Sequence, residues 1–335
     1  MQLVLVLPDL FAERDAAAPP VRATALARLL ALASEPERDA DGPDAALASL
    51  YGIERQTDWP TAALEVASLG IDPAGAYWLA ADPVTLDVGR DDALFAGMAD
   101  GLARADADAL TATLNAHFRD DGLTFIAPRP DAMFARVAMP PRLRTHPLAI
   151  SSDSALRSRL PEGLDANIWR RWQSEIQMLL HDHPVNVKRV RAGRPPANTV
   201  WFSGGGTLPP RPTGKRSIRT YAHTGLAVAL ASHAGSPAQP VPASLTDAID
   251  GAVDAALVVV ALSPGLAPDA IEASWAAPSW RALASGRIGR VTLIADNAGD
   301  AVTWRVDRPP LWKRLASQIR GHDLDAWVAA ARRRE

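Results

Sequence analysis

Cysteine is absent from this sequence, and its absence excludes several kinds of site. A chain without thiols forms no disulfide, no cysteine-ligated zinc site, no iron–sulfur cluster and no thiol nucleophile. Lysine is scarce as well, since Lys188, Lys215 and Lys313 are the only three in 335 residues. The formal net charge is −3, so the composition offers no electrostatic footprint for nucleic acid or for an anionic membrane.

Long apolar segments are missing too. The longest late apolar run, at 252–262, is interrupted by Asp254 and is far too short to cross a bilayer. The run at 3–7 is much shorter than the core of a signal peptide, and no basic residue precedes it. With 48% hydrophobic and 22% charged residues, the chain has enough apolar material for a substantial core. We therefore expect a soluble, cytoplasmic protein.

Short apolar runs alternate with helical patterns, which predicts an α/β fold with a mostly parallel sheet flanked by helices. The predicted strands cover residues 3–7, 76–80, 123–126, 133–137, 199–202, 256–262, 291–295 and 302–306. The predicted helices cover residues 22–33, 43–51, 60–69, 106–118, 167–182, 224–232, 271–283, 310–319 and 323–332. We expect residues 1–335 to form one domain, with a candidate subdomain joint in the irregular segment 138–165.

The helix at 167–182 has the clearest pattern. Its apolar residues recur at helical spacing and predict one buried stripe, formed by Trp169, Trp172, Ile176, Leu179 and Leu180. Asn167 stands at its start, where an amide side chain often caps a helix.

The densest polar segment follows this helix and leads into a predicted strand and a glycine triplet. Its candidate ligand-binding residues are His183, Asn186, Arg189, Asn198, Ser203, Gly204, Gly205 and Gly206. Glycines after a strand let main-chain N–H groups converge on an anion, and an arginine adds a two-pronged donor. We expect Arg189 to point at the glycine N–H groups. The alternative is that proline and glycine mark tight turns and that the basic residues are solvated.

Two further pairs of residues could hold a cation. His181 and His183 have metal-ligand spacing, but Pro184 interrupts the helix directly after them and no third ligand is near in the sequence. Asp296 and Asp300 follow a predicted strand, where an acidic turn explains them equally well. Neither pair predicts a metal site.

The segment His183-Pro-Val-Asn186, Arg189, Gly193, Pro196-Ala-Asn198 and Gly204-Gly-Gly206 resembles one in archaeal-type, cofactor-independent phosphoglycerate mutases. Those enzymes belong to the alkaline phosphatase superfamily, so the resemblance implies an alkaline-phosphatase-like core and a small phosphorylated or anionic metabolite. A wider set of segments is similar to the RpfE-type regulatory proteins, which are phosphoglycerate-mutase-like: 77–84, 114–118, 121–125, 175–178, 181–186 and 201–206.

The sequence departs from the superfamily at its metal ligands. Enzymes of that superfamily hold two divalent ions with several Asp and His side chains. Here the first strand ends in Asp9 without a following glycine, the strand at 256–262 leads into Ser263, and no histidine follows Asp296. Ser203 also stands where the mutase motif has arginine. We therefore expect a degenerate relative without a metal cofactor, acting in regulation or metabolite binding, with no protein partner identified. The alternative is an active, divalent-metal-dependent mutase or phosphatase with displaced ligands.

Overall fold

The computed structural model describes residues 1–8, 10–11, 24–88, 93–147, 159–213, 217–297 and 299–310. The helices are α1 Thr24–Leu32, α2 Gly42–Leu50, α3 Thr61–Ser68, α4 Arg104–His117, α5 Ala166–His181, α6 Pro184–Arg191, α7 Leu226–His233, α8 Leu245–Asp250, α9 Pro268–Ile271 and α10 Ala277–Ser285. The strands are β1 Gln2–Leu7, β2 Glu37–Asp39, β3 Tyr77–Val88, β4 Ala93–Met98, β5 Leu123–Arg129, β6 Ala132–Val137, β7 Thr199–Gly206, β8 Ile218–Tyr221, β9 Leu257–Ala261, β10 Arg290–Asn297 and β11 Asp300–Asp307. A π-helix, Glu272–Ala276, joins α9 to α10.

The chain divides into two compact units. The first unit comprises Met1–Leu47 and Pro212–Glu335, and the second comprises Ala48–Arg211. The expected single domain with a joint at 138–165 stays a prediction, because residues 148–158 lie outside the described part of the chain. The helices predicted beyond residue 310 lie outside it as well. No helix in the described ranges combines the length and apolarity needed to cross a membrane.

The first unit contains a mixed six-stranded sheet in the order β2-β11-β10-β1-β9-β8. Strand β1 lies between β10 and β9 and is parallel to both, and β8 is parallel to β9. Strands β10 and β11 form an antiparallel hairpin, to which β2 adds antiparallel. The side chains of Leu3, Val4 and Leu5 are all buried, as the continuous apolar run of β1 predicts for a parallel strand.

One hydrophobic core of the first unit joins the sheet to helices. Leu5, Val260 and Leu293 of three parallel strands pack in the same cluster as α1 and the helical segment 268–285. The carboxylate of Glu272, in the π-helix, accepts hydrogen bonds from the main-chain N–H groups of Ala25 (2.7 Å) and Leu26 (3.0 Å). Because the first N–H groups of a helix have no partner within the helix, Glu272 fixes where α1 begins.

The second unit contains a five-stranded sheet that is antiparallel throughout its described pairings. Its order is β4-β3-β6-β5, and β7 pairs with β3. The expectation of a mostly parallel sheet is therefore wrong for this half, in which every described strand pair is antiparallel. Strand β3 also continues past residue 80, where the predicted strand ends, and runs through Pro83. Pro83 falls between the residues of β3 that pair with β6 and those that pair with β4, where a missing N–H group is tolerated.

Helices cover both faces of this sheet. Phe118 at the end of α4 and Trp169 of α5 pack with Phe125 and Phe202 on one face. Helix α3 packs against Trp78 and Phe134 in a separate cluster.

The apolar stripe of α5 is confirmed, since Trp169, Ile176 and Leu180 are buried and Trp172 and Leu179 pack against the same cluster. The predicted cap is wrong, because α5 begins at Ala166, so Asn167 lies inside its first turn.

Candidate functional site

His183 is the N-cap residue of α6. Its Nδ1 accepts a hydrogen bond from the N–H of Val185 at 3.3 Å, and its Nε2 lies 3.0 Å from the hydroxyl oxygen of Thr113. Since Nδ1 acts as the acceptor, Nε2 carries the proton and donates a hydrogen bond to the hydroxyl oxygen of Thr113. Burial lowers the pKa of His183, which favours this neutral form. Both ring nitrogens are thus used within the protein.

Asn186 and Asn198 use their side-chain amides to hold main chain. Asn186 is 1% exposed, donates to the carbonyl groups of Leu180 (2.7 Å) and Ala197 (2.9 Å), and accepts from the N–H of Ala197 (2.8 Å). Asn198 accepts from the N–H of Leu86 at 2.9 Å and donates to its carbonyl at 2.8 Å. These contacts fix the loop between α6 and β7, and their role toward a ligand stays a prediction.

Arg189 is 3% exposed and its guanidinium holds two loops together. Its Nε donates to the carbonyl of Pro195 and its Nη2 to the carbonyl of Asp100, each at 2.8 Å. Its Nη1 is buried without a hydrogen-bond partner among the described residues. Burial lowers its pKa, and the nearby cation Arg194 adds to this.

The expected pairing of Arg189 with the glycine N–H groups is wrong. Asp100 lies two residues after Met98, which pairs with Val84, and Val84 also pairs with Thr199 at the start of β7. The guanidinium therefore lies near the beginning of that strand. Gly204 is five residues further along it, about 17 Å at the usual rise of ~3.3 Å per residue.

The three glycines form the end of β7 rather than a loop after it. Gly206 pairs with Trp78, and Ser203 pairs with Ala80. A Cβ atom added to Gly204 would lie 2.0 Å from the hydroxyl oxygen of Thr61, and one on Gly205 would lie 2.3 Å from that of Tyr77. Glycine is required here because β7 passes very close to its neighbours, which is a packing role.

A buried carboxylate that sequence reasoning missed lies beside Gly205. Asp58 is 5% exposed, and its Oδ1 accepts from the N–H of Trp59 at 2.8 Å. Its Oδ2 accepts from the N–H of Thr145 at 2.8 Å, from the hydroxyl of Thr145, and from the N–H of Gly205 at 3.4 Å. Burial raises the pKa of Asp58, and these hydrogen bonds oppose the rise. The turn residues 58–60, Asp-Trp-Pro, were its only local signal.

Two more buried polar groups belong to the same cluster. The hydroxyl oxygen of Tyr77 has no hydrogen-bond partner in the described ranges, and burial together with the charge of Asp58 raises its pKa. The Nε2 of His146 lies 3.7 Å from a carboxylate oxygen of Glu162, beyond hydrogen-bond distance. The main-chain carbonyl of His146 accepts a hydrogen bond from the Nε1 of Trp201 at 2.9 Å. Burial lowers the pKa of His146, assisted by Arg144. We call Asp58, Tyr77, Thr145, His146 and Gly205 the Asp58 cluster.

The carboxyl ends of the parallel strands are where α/β sheets usually place a ligand or a metal. At this edge, β9 leads through Leu262 into Ser263, and β10 carries Asp296. The Oδ1 of Asp296 accepts from the N–H of Gly299 at 2.8 Å, as an acidic turn requires. The predicted residue Asp9 lies outside the described residues. Within the ranges that the structure describes, no three acidic or histidine side chains are grouped so as to hold a metal ion.

No family model matches this chain. The cofactor-independent phosphoglycerate mutase from Thermoplasma acidophilum aligns over 91% of this chain and 89% of its own, with 18% identity and a TM-score of 0.38. A protein from Pyrococcus horikoshii aligns over 100% of this chain and 97% of its own, with 14% identity and a TM-score of 0.44.

Sequence comparison gives higher identity over shorter stretches. The 2,3-bisphosphoglycerate-independent phosphoglycerate mutase of Methanosarcina barkeri is 27% identical over 173 residues, which is 50% of this chain and 42% of that protein. The protein of the same name from Methanothrix thermoacetophila is 40% identical over 57 residues, 17% of this chain and 14% of that protein. The chain thus matches less than half the length of these relatives. Across half of its own length it is similar to archaeal cofactor-independent phosphoglycerate mutases, which confirms that part of the resemblance.

Proposed function

We propose that this chain is a phosphoglycerate-mutase-like protein with a degenerate metal site, which binds a small phosphorylated or other anionic metabolite in a regulatory role. An alkaline-phosphatase-like relationship of its parallel strands, membership of the RpfE-type regulatory proteins and a cytoplasmic location are parts of the same proposal. The similarity to the mutases supports the family relationship. The degenerate character is supported by the residues at the sheet edge.

The observation that carries the proposal is the small number of side chains at the carboxyl ends of β9 and β10 that could coordinate a metal ion. Two divalent ions held close together need several ionised side chains, because their charge must be offset. The segment after β9 offers Ser263, and the end of β10 offers Asp296, which already accepts a main-chain hydrogen bond. Among the described residues, no three acidic or histidine side chains are grouped so as to hold a metal ion, which supports the degenerate reading.

In the proposal, the anion site keeps His183, Asn186, Arg189 and Asn198, whereas the predicted members Ser203 and the glycines at 204–206 lie at the far end of β7 and do not share a ligand with Arg189. The geometry changes the roles within it, since the two asparagines and two nitrogens of Arg189 hold main chain. The remaining donor is the Nη1 of Arg189, which is buried. In the proposal, these residues hold the loop before β7. The anion binds at Nη1 of Arg189, where it would displace no main-chain hydrogen bond.

The alternative is an active, divalent-metal-dependent phosphoglycerate mutase or phosphatase. The 40% identity to a curated mutase over 57 residues favours it. Asp296 would then be one metal ligand, with Asp9 as a second. A matched variant distinguishes the two readings, because Asp296→Asn should abolish turnover in an active enzyme and leave a non-catalytic binding protein unaffected.

The experiment is an assay of the full chain with 2- and 3-phosphoglycerate in the presence of Mg²⁺ or Mn²⁺, run beside a thermal-shift titration with the same compounds. A rise in Tm without turnover supports the proposal, because a ligand that binds the folded state stabilises it. Turnover that is lost in Asp296→Asn would overturn it in favour of the alternative. Absence of both turnover and stabilisation would reject the anionic metabolites tested as ligands.

A further inference from the structure

A groove of about 300 Å³ lies between α8 and α10 in the first unit. This volume is at the lower end of the range of roughly 300–1,000 Å³ found for small-molecule sites. The lining residues come from both helices and from the turn after α10: Leu245, Thr246, Ile249, Pro278, Arg281, Ala282, Ser285 and Arg287. None of them belongs to the segment assigned to the anion site above.

The floor of the groove is apolar and its walls are polar. Leu245 and Ile249, four residues apart on α8, are 0% and 3% exposed, and Ala282 of α10 is 8% exposed. Residues four apart lie on the same face of a helix, so α8 and α10 each turn an apolar face into the groove. Arg281 and Ser285, also four apart, are exposed on the wall. The groove therefore offers an apolar surface next to hydrogen-bond donors.

The charge at the wall is positive. Arg287 forms an ion pair with Asp250, in which the two side chains are 45% and 58% exposed. Arg281 has no hydrogen bond or ion pair with any residue in the described part of the chain. Two guanidinium groups thus face one carboxylate. Arg308 lies beside the end of α10, where its Nη2 is 3.5 Å and 3.4 Å from the carbonyl oxygens of Ala284 and Ser285, so it offsets the negative end of that helix.

We propose that this groove binds a small amphipathic oxyanion, a carboxylate or a phosphate monoester attached to an apolar body. The planar guanidinium of Arg281 matches either head group through two parallel hydrogen bonds, and Arg287 adds a second positive charge. The apolar body packs over Leu245, Ile249 and Ala282, which are already buried, so the hydrocarbon surface removed from water is mainly that of the ligand itself. This site is independent of the proposed anion site in the second unit.

The test titrates the full chain with four probes, followed by calorimetry and by NMR chemical-shift mapping. Phenyl phosphate and phenylacetate carry both features, inorganic phosphate carries the charge alone, and benzyl alcohol carries the ring without a charge. We expect at least one of the first two to bind about tenfold or more tightly than either partial probe, with shifts at α8 and α10. Which of the two binds better identifies the head group.

Two variants locate the binding. Arg281→Met should weaken the phenyl probe about tenfold, the worth of one charge-assisted pair, without changing Tm in the absence of probe. Arg290→Met is the matched control, since Arg290 is an arginine of the same unit that pairs with Asp307 outside the groove. Ala282→Leu fills the floor and should weaken the phenyl probes more than inorganic phosphate. Equal affinity of wild type and Arg281→Met, or no binding of either phenyl probe, would overturn the proposal.

Discussion

One carboxylate oxygen of Asp58 accepts both the main-chain N–H and the side-chain hydroxyl of Thr145, 87 positions further along the chain. The same oxygen lies 3.4 Å from the N–H of Gly205. Asp58 therefore connects the turn before α3, the segment after β6 and the end of β7. A buried carboxylate that satisfies several donors is costly to remove, because each donor is left without a partner.

Asp58→Ala should lower the free energy of unfolding by about 2–4 kcal/mol, since three or more buried donors lose their acceptor. Thr145→Val removes one hydroxyl and should cost about 1 kcal/mol. Asp131→Ala is the control, because Asp131 forms an exposed ion pair with Arg129 whose loss should cost less than about 0.5 kcal/mol. Urea unfolding of the three variants measures these differences. If the Asp58→Ala chain were as stable as the control, the Asp58 cluster would not contribute to the stability of the second unit.

Gly205→Ala tests whether the glycines of β7 serve packing. The new Cβ would lie 2.3 Å from the hydroxyl oxygen and 3.0 Å from Cζ of Tyr77, so we expect a loss of about 1–3 kcal/mol. Tyr77→Phe alone should be neutral or slightly stabilising, because that hydroxyl lacks a hydrogen-bond partner in the described ranges. In the Tyr77→Phe background, Gly205→Ala should cost less.

The control for this cycle is Gly289→Ala. The nearest atom to its added Cβ is 3.9 Å away, an ordinary contact, so its effect should stay within about 0.5 kcal/mol. Thermal and urea unfolding measure the change in stability of Gly205→Ala, Tyr77→Phe, the double variant and Gly289→Ala. If Gly205→Ala cost no more than Gly289→Ala, the close approach of β7 to Tyr77 would be disproved.

Local patterns predicted the elements whose residues carry the signal themselves. The buried run of β1 and the apolar stripe of α5 depend on spacing within one segment, which hydrophobic periodicity reports directly. Strand β8, Ile-Arg-Thr-Tyr, and strand β2, Glu-Arg-Asp, have no such pattern, because pairing with neighbours rather than their own composition makes them strands. The antiparallel sheet of the second unit was missed for a related reason, since short strands give no indication of their direction.

The sequence predicted which residue types occur in the candidate site, but it did not predict which groups they contact. The asparagines and the arginine of 183–198 were recognised as a polar constellation, but their partners are main-chain groups of Leu180, Ala197, Leu86, Asp100 and Pro195. The Asp58 cluster gave no sequence signal beyond a turn, because Asp58 and Gly205 are separated by 147 positions. Contacts over such separations depend on how the strands pair, and spacing along one chain does not encode that.

The cap formed by His183 predicts a pH dependence of stability. Burial places its folded pKa below the unfolded value of about 6.5, so the cap contributes fully above that pH and its contribution is lost as the pH falls through the folded pKa. His183→Asn keeps a side-chain oxygen for the N–H of Val185 and removes the titration. Between about pH 7.5 and about pH 5, the variant should lose less stability than the wild type.

Urea unfolding at the two pH values measures this difference. His181→Asn is the matched control, because it removes an exposed imidazole at the end of α5 and leaves the cap intact. The change in stability with pH should be smaller for His183→Asn than for His181→Asn. Identical profiles for the two variants would show that the Nδ1 contact with Val185 does not contribute to the pH dependence.

Arg189 gives the last prediction. Its guanidinium is buried and donates to the carbonyl groups of Pro195 and Asp100, so Arg189→Met leaves two acceptors and no donor between the loops they belong to. We expect a loss of about 2–4 kcal/mol in the free energy of unfolding, measured by urea denaturation. Arg194→Met is the control, because Arg194 is exposed and donates to Gly101 at 3.3 Å, a contact worth less than about 0.5 kcal/mol. An Arg189→Met chain as stable as the control would contradict a structural role for these two hydrogen bonds.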